Sequence, residues 1–215
     1  MPTPRQVLLF AGHMIDAPQR SEPRFPAALA DAAADRIAQV LAWLDAGPED
    51  LALTQGAAGG DLLFAEACLA RGVPLCFMQP LPEPAFIAAS VLPVQDGPRW
   101  QARYQSVRAG LLEAPRQLPT PSVDEQDVTG DDVPSGGAGD GDDDSEVFSR
   151  CNRWLLRHAL RQGAERLHFI CLWDGLSGDG DGGTAHLCAL VEQAPPGTWQ
   201  VHRIRPQDLA ASHAR

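Results

Sequence analysis

The sequence predicts a single α/β domain: a Rossmann-like, doubly wound, mainly parallel sheet of about five strands in the order 3-2-1-4-5, with helices on both faces. Three observations lead there. Short buried-strand runs alternate with helical periodicity from the N-terminus onward, giving β-α-β-α-β within about 70 residues. Three strands run into glycine turns: Gly12 after the first, Gly56, Gly59 and Gly60 after the second, and Gly178, Gly180, Gly182 and Gly183 after the penultimate. The 215 residues are 44% hydrophobic, enough for a sizeable core, yet no apolar run reaches the ~18 residues of a membrane-spanning helix.

Each element follows from a local pattern. Residues 7–10 (V-L-L-F) form a compact strand, and A-G-H-M-I-D leaves it sharply at Gly12. Pro18, Pro23 and Pro26 hold the next stretch in a loop. Over 27–45, Leu29, Ala33, Ile37, Val40, Leu41 and Leu44 recur at spacings of three and four, which is a helix; Gly47-Pro48 ends it. Residues 51–53 are a second strand. The turn T-Q-G-A-A-G-G-D follows, then a helix to about Arg71 with Gly72 as its cap. Residues 74–78 (P-L-C-F-M) are a third strand. Helical pieces are predicted over 86–91, 100–112 and 148–162, the last capped by Gly163. A strongly apolar strand spans 167–172, a helix 185–193 and a final strand 199–204.

The domain is interrupted. Residues 1–118 and 147–206 read as two parts of one domain, 207–215 as a tail, and 119–146 as a disordered acidic insertion rich in Gly, Asp, Ser and Pro. The net charge of −11 belongs to that insertion. Between Gln117 and Ser149 there are ten acids and no arginine, which leaves 18 acids against 17 arginines elsewhere. Neither part carries the positive field that duplex DNA binding relies on, so a nucleic-acid partner is disfavoured. Arg150, Arg153, Arg157 and Arg161 share one face of the 148–162 helix, either solvated or covered by the acidic loop.

Composition excludes several chemistries. Every basic residue is arginine, so there is no Walker A lysine and no Schiff-base lysine. The five cysteines, at 68, 76, 151, 171 and 188, show no C-x-x-C spacing and read as buried small hydrophobes in a reducing cytosol. The N-terminal apolar run is a strand, not a signal peptide. A cytoplasmic protein with no membrane contact and no bound metal is expected. The G-x-S-x-G elbow of α/β-hydrolases is absent.

In a doubly wound sheet the three glycine turns converge at the carboxyl edge, where ligands bind at the switch in strand order. Gly56, Gly59 and Gly60 let backbone approach a ligand, and the following helix N-terminus presents N–H groups to an anion. Asp61 is either a helix cap or a partner for a ribose hydroxyl. His13 is a phosphate contact, an acid/base or a structural turn histidine. Thr184, after Gly182 and Gly183, caps a helix or binds phosphate. Asp179 and Asp181 lie in a glycine loop but lack the D-x-D-x-D-G ligand pattern, so they read as a solvated turn.

Several of these stretches together resemble the SLOG superfamily: L-L-F-A-G-H-M-I-D-A-P, R-F-P at 24–26, G-A-A-G-G-D-L-L-F-A-E-A, L-W-D-G and D-G-G-T. That group takes in the Smf/DprA DNA-processing proteins and the LONELY GUY phosphoribohydrolases. The likeness is to a bacterial branch found alone or joined to cyclase, TIR-like or tetratricopeptide modules, and it covers the chain except 113–146. It implies a Rossmann-like fold that binds nucleotides or nucleotide-derived molecules. By resemblance, Gly12, His13, Met14, Gly56, Gly59, Gly60, Asp61, Gly182, Gly183 and Thr184 line the pocket, Arg24 supplies a cation for phosphate, and Asn152 is a further candidate. The chain departs from the phosphoribohydrolase motif P-G-G-x-G-T-x-x-E: the leading proline is missing and Leu187 stands where the catalytic glutamate belongs.

The resulting expectation is a module that binds or senses a nucleotide-derived ligand and needs no further cofactor. The alternative is a nucleotide phosphoribohydrolase of the LONELY GUY type, with Glu66 or Asp174 as the acid and His13 as a further catalytic candidate. Glu66 reads equally as an exposed helix acid. The apolar face of the 27–45 helix is compatible with a core helix or with a homo-oligomer face.

Overall fold

Strand β1 (Gln6–Gly12) lies inside the sheet and sends alternate side chains into two separate cores, Leu8 and Phe10 into one and Val7 and Leu9 into the other. That explains why V-L-L-F has no polar face: helices cover both sides of the sheet. Strand β5 (Arg166–Leu172) pairs parallel to β1 along its whole length and divides in the same way, Ile170 and Leu172 against Phe169 and Cys171.

The computed structural model describes residues 3–120, 142–176 and 182–212. The other strands are β2 (Leu51–Thr54), β3 (Leu75–Gln79), β4 (Arg116–Gln117) and β6 (Gln200–Ile204). All six are parallel, in the order β4-β3-β2-β1-β5-β6. This is the expected order with one strand added beyond β3. β4 has only two residues, too few for any periodicity to announce it.

One face is covered by α1 (Ala30–Trp43), α2 (Gly60–Ala70), α3 (Glu83–Ser90), α4 (Gly97–Gly110) and α7 (Pro206–Ser212), the other by α5 (Asp142–Leu160) and α6 (Thr184–Glu192). Ala33, Ile37 and Leu41 of α1 are fully buried in the first core, while Trp43 at its end is 73% exposed. The five cysteines are free thiols. No helix among the described residues is long and apolar enough to cross a membrane.

Element ends differ from the sequence reading for local reasons. The helix expected over 27–45 opens as a 3-10 turn at Ala27–Leu29. α3 starts at Glu83 because a proline in a first helical turn lacks only an N–H that would have no partner there. α5 starts at Asp142; residues 142–146 contain no apolar side chain, so hydrophobic periodicity is silent about them. Part of the expected 207–215 tail is α7, which docks through buried Leu209. Of the disorder expected over 119–146, residues 142–146 instead form the first turn of α5, and 121–141 lie outside the described residues. So do Gly178, Asp179, Gly180 and Asp181 of the third glycine turn.

Candidate functional site

The site begins where β1 meets α2. Phe10 stacks on Phe64 with ring centroids 4.6 Å apart and planes 12° from parallel, which draws the start of α2 onto the end of β1. A Cβ added to Gly60 would stand 3.0 Å from the Gly12 Cα, so the two glycines let the backbones touch. Beyond Gly12 the chain stays extended. His13 N–H donates to the Leu172 carbonyl at 2.9 Å and the His13 carbonyl accepts from Gly60 N–H at 3.0 Å. Met14 forms an antiparallel bridge with Gly59, and Ile15 N–H donates to the Ala58 carbonyl at 3.1 Å. Gly59 has φ +117°, and a Cβ there would lie 2.6 Å from the His13 carbonyl oxygen. The first two glycine turns are therefore joined into one unit.

Asp61 is what that unit closes around. Its Oδ1 accepts Gly12 N–H at 3.2 Å, and its Oδ2 accepts Gly56 N–H at 3.2 Å and Ala57 N–H at 3.3 Å. The side chain is the second residue of α2 rather than its cap, which is Gly59. Burial raises its pKa to about 6; the three backbone amides work in the opposite direction. The Thr54 hydroxyl also favours the charged form, although Thr54 Oγ1 has no partner within hydrogen-bond geometry. Gly60, Leu62 and Leu63 N–H groups go to the carbonyls of His13, Ala57 and Gly59. The anion-receptive turn anticipated at 56–60 is thus filled from within: the protein's own carboxylate sits among the amides that the sequence reading offers to a ligand.

A second cluster ties the two halves of the chain. Arg24 grips Asp174 from Nε at 2.7 Å and Nη2 at 2.9 Å and also donates to the Leu176 carbonyl at 3.3 Å. His13 Nε2 lies 3.1 Å from Asp174 Oδ1 and accepts the Asp174 backbone N–H at 3.2 Å. Burial opposes ionisation of Asp174, but Arg24, the Leu176 amide and His13 outweigh it and hold the carboxylate well below its usual range. Burial, and then the charge of Arg24, lower the His13 pKa against the pull of Asp174, so the imidazole is neutral at neutral pH. Asp16 organises the loop beneath: its carboxylate accepts the Arg24 and Phe25 amides at 3.1–3.2 Å, which presents Arg24 to Asp174 and buries Phe25.

Asn152 of α5 joins the third turn to the rest. It is 2% exposed. Its Nδ2 donates to the Gly182 carbonyl at 2.7 Å and the Gly183 carbonyl at 3.3 Å, while its Oδ1 accepts Gln55 Nε2 at 2.9 Å. Gly183 is the cap of α6 without a side-chain hydrogen bond, and Thr184 is the first helical residue. His186 N–H in the first turn is taken by the Gly183 carbonyl at 3.1 Å, so the amides of Thr184 and Ala185 stand at the positive end of the helix dipole.

These parts surround a cleft of about 850 Å³ at the carboxyl ends of β1 and β2 and the N-terminus of α6. It lies where the strand order turns between β1 and β5, the usual ligand position in this architecture. Gly12, His13, Met14, Arg24, Asp61, Asn152, Gly182, Gly183 and Thr184 line it. Gly56, Gly59 and Gly60 shape the wall from behind, and Asp174 reaches the cleft through Arg24 and His13. Glu66 is elsewhere: it faces α4 and binds Arg103 in two contacts of 2.7 and 2.5 Å. Lining residues that the sequence reading missed include Asp16, Arg20, Gln55, Ser90, Phe148 and Leu155. Gln55 was available as the residue that follows β2; Ser90 and Phe148 carried no local signal.

Among the described residues no group of three or more His, Cys, Asp or Glu side chains is placed to hold a metal ion. Comparison with protein-family models and with curated proteins returns no match.

Proposed function

We propose that the carboxyl-edge cleft binds a nucleotide or nucleotide-derived ligand and that the protein is a ligand-binding module of SLOG type. The observation that carries this reading is the N-terminus of α6, led by Gly182 and Gly183 and fixed by Asn152, opening into a cleft whose carboxylates, among the described residues, are compensated. Asp16 is held by amides, as is Asp61; the carboxylate of Asp174 behind the wall is held by Arg24. Among the described residues, a ligand anion at α6 therefore meets amide dipoles and no uncompensated acid. Phe10, Met14, Phe148 and Leu155 supply apolar surface for a base.

The hydrolase alternative needs an available carboxylate at the reacting bond. Glu66 is committed to Arg103 away from the cleft, and Leu187, buried in the lining, stands at the position of the missing glutamate. Both observations favour binding without hydrolysis.

The full-length protein titrated with AMP, NAD and ADP-ribose, followed by calorimetry and by chromatography for released base, tests the reading. Saturable heat with at least one nucleotide and no base release is the expected result. Silence across the panel overturns nucleotide binding, and base release overturns the binding-only reading.

A further inference from the structure

At the opposite end of the sheet, where β2 and β3 begin and α5 ends, lies a second cavity of about 450 Å³ that shares no residue with the first. Its apolar part includes Leu51 and Leu75, and Leu112 on its wall is 77% exposed. Arg116 and Arg161 line it with the imidazole of His158 and, among the described residues, a single acid, Glu113. Glu113 and Arg116 pair at 2.9 Å, but their side chains are 50% and 40% exposed, so the pair is weak and easily exchanged.

His158 Nε2 faces Arg116 Nη1 at 3.4 Å and Gln162 Nε2 at 3.1 Å. Both neighbours are donors, so Nε2 is the acceptor of a neutral ring that carries its proton on Nδ1. Burial lowers the His158 pKa, and the charges of Arg116 and Arg161 lower it further. At neutral pH two guanidinium charges thus face one exposed carboxylate beside apolar surface.

We propose that this cavity binds a small organic monocarboxylate, its carboxylate between Arg116 and Arg161 and its hydrocarbon body against Leu51, Leu75 and Leu112. Guanidinium groups match a carboxylate with paired, charge-assisted hydrogen bonds. A cation meets like charge here, and a neutral hydrocarbon leaves the excess positive charge uncompensated. The volume is that of a small-molecule site, about 300–1,000 Å³.

The test titrates the full-length protein with sodium octanoate, with octan-1-ol as the neutral analogue and inorganic phosphate as an anion without a body. Calorimetry follows binding, and NMR follows the His158 ring through its titration; among the described residues, Arg116, Glu113, Arg161 and the Cys76 thiol are the other ionisable groups lining the cavity. Saturable octanoate binding is expected, with the His158 pKa raised on saturation because the bound charge offsets the two arginines. Octanol and phosphate should each bind about tenfold more weakly or worse, and Arg116→Ala with Arg161→Ala should weaken octanoate by a similar factor. Glu113→Gln, which releases Arg116, should tighten it and serves if the double variant does not fold. Absence of saturable octanoate binding, equal binding of octanol or phosphate, an unmoved His158 titration, or a folded double variant that binds as well as wild type overturns the proposal.

Discussion

The guanidinium of Arg24 grips the carboxylate of Asp174 through hydrogen bonds of 2.7 and 2.9 Å, across 150 residues of sequence. The pair fastens the loop after β1 to the loop after β5, with side chains only 12% and 11% exposed. Asp174→Asn leaves Arg24 facing a neutral amide and should cost about 2–3 kcal/mol. Asp174 is held below the usual carboxylate range when folded. Its stabilisation is therefore complete above the unfolded value of about 4 and is lost as pH falls below that toward the folded value. Urea unfolding of both proteins across this range should show the gap between them narrowing with acid. A gap independent of pH would remove the ion pair from the account.

Asp61 should behave in the opposite sense. Its folded pKa, about 6, lies above that of an unfolded carboxylate. Stability from this group is fully present below about 4 and is lost as pH rises through about 6. Asp61→Asn places an NH₂ among three N–H donors and no longer titrates. The stability difference between wild type and variant should grow as pH is lowered from neutral to about 4, by up to about 3 kcal/mol. A difference that shrinks over that range would contradict the burial of a carboxylate in this turn.

The contrast between these two acids shows what the sequence made legible. Alternating apolar runs and helical spacing determine which strands and helices form, and convergence of the glycine turns follows from topology. The use of each carboxylate does not. Asp61 looks like a ligand contact because glycines surround it, yet those glycines bring its own partners, Gly12 and Gly56, to it. Asp174 becomes meaningful only once β5 lies beside β1 and brings Arg24 within reach. Asn152 was a candidate by resemblance alone; its partners at Gln55 and Gly182 are set by tertiary packing, so its role could not be read from sequence. β4 and α7 escaped because two residues, or one buried leucine, make no period.

Gly59 and Gly197 both have positive φ, +117° and +85°, but differ in surroundings. A Cβ on Gly59 meets the His13 carbonyl at 2.6 Å, whereas one on Gly197 meets nothing within 4 Å. Gly197→Ala should cost about 1 kcal/mol of backbone strain alone. Gly59→Ala adds a clash with backbone that cannot move without opening the β1–α2 junction, and about 3 kcal/mol or more is expected. Thermal melting of the two variants separates the contributions; equal losses would mean that the junction is not tightly closed.

The last pair of variants separates the cleft from its surroundings. Asn152→Asp keeps the size of a buried side chain but replaces the donor to the Gly182 carbonyl by an acceptor. The third turn then loses its anchor and the α6 amides lose their fixed position, so under the proposed function nucleotide affinity should fall about tenfold or more. Glu66→Gln removes charge from a partly exposed pair with Arg103, away from the cleft. It should cost less than about 1 kcal/mol and leave nucleotide affinity unchanged. Calorimetry with AMP and ADP-ribose, alongside melting curves that establish folding of both variants, gives the comparison. Loss of binding in Glu66→Gln with full binding in folded Asn152→Asp would move the ligand out of this cleft altogether.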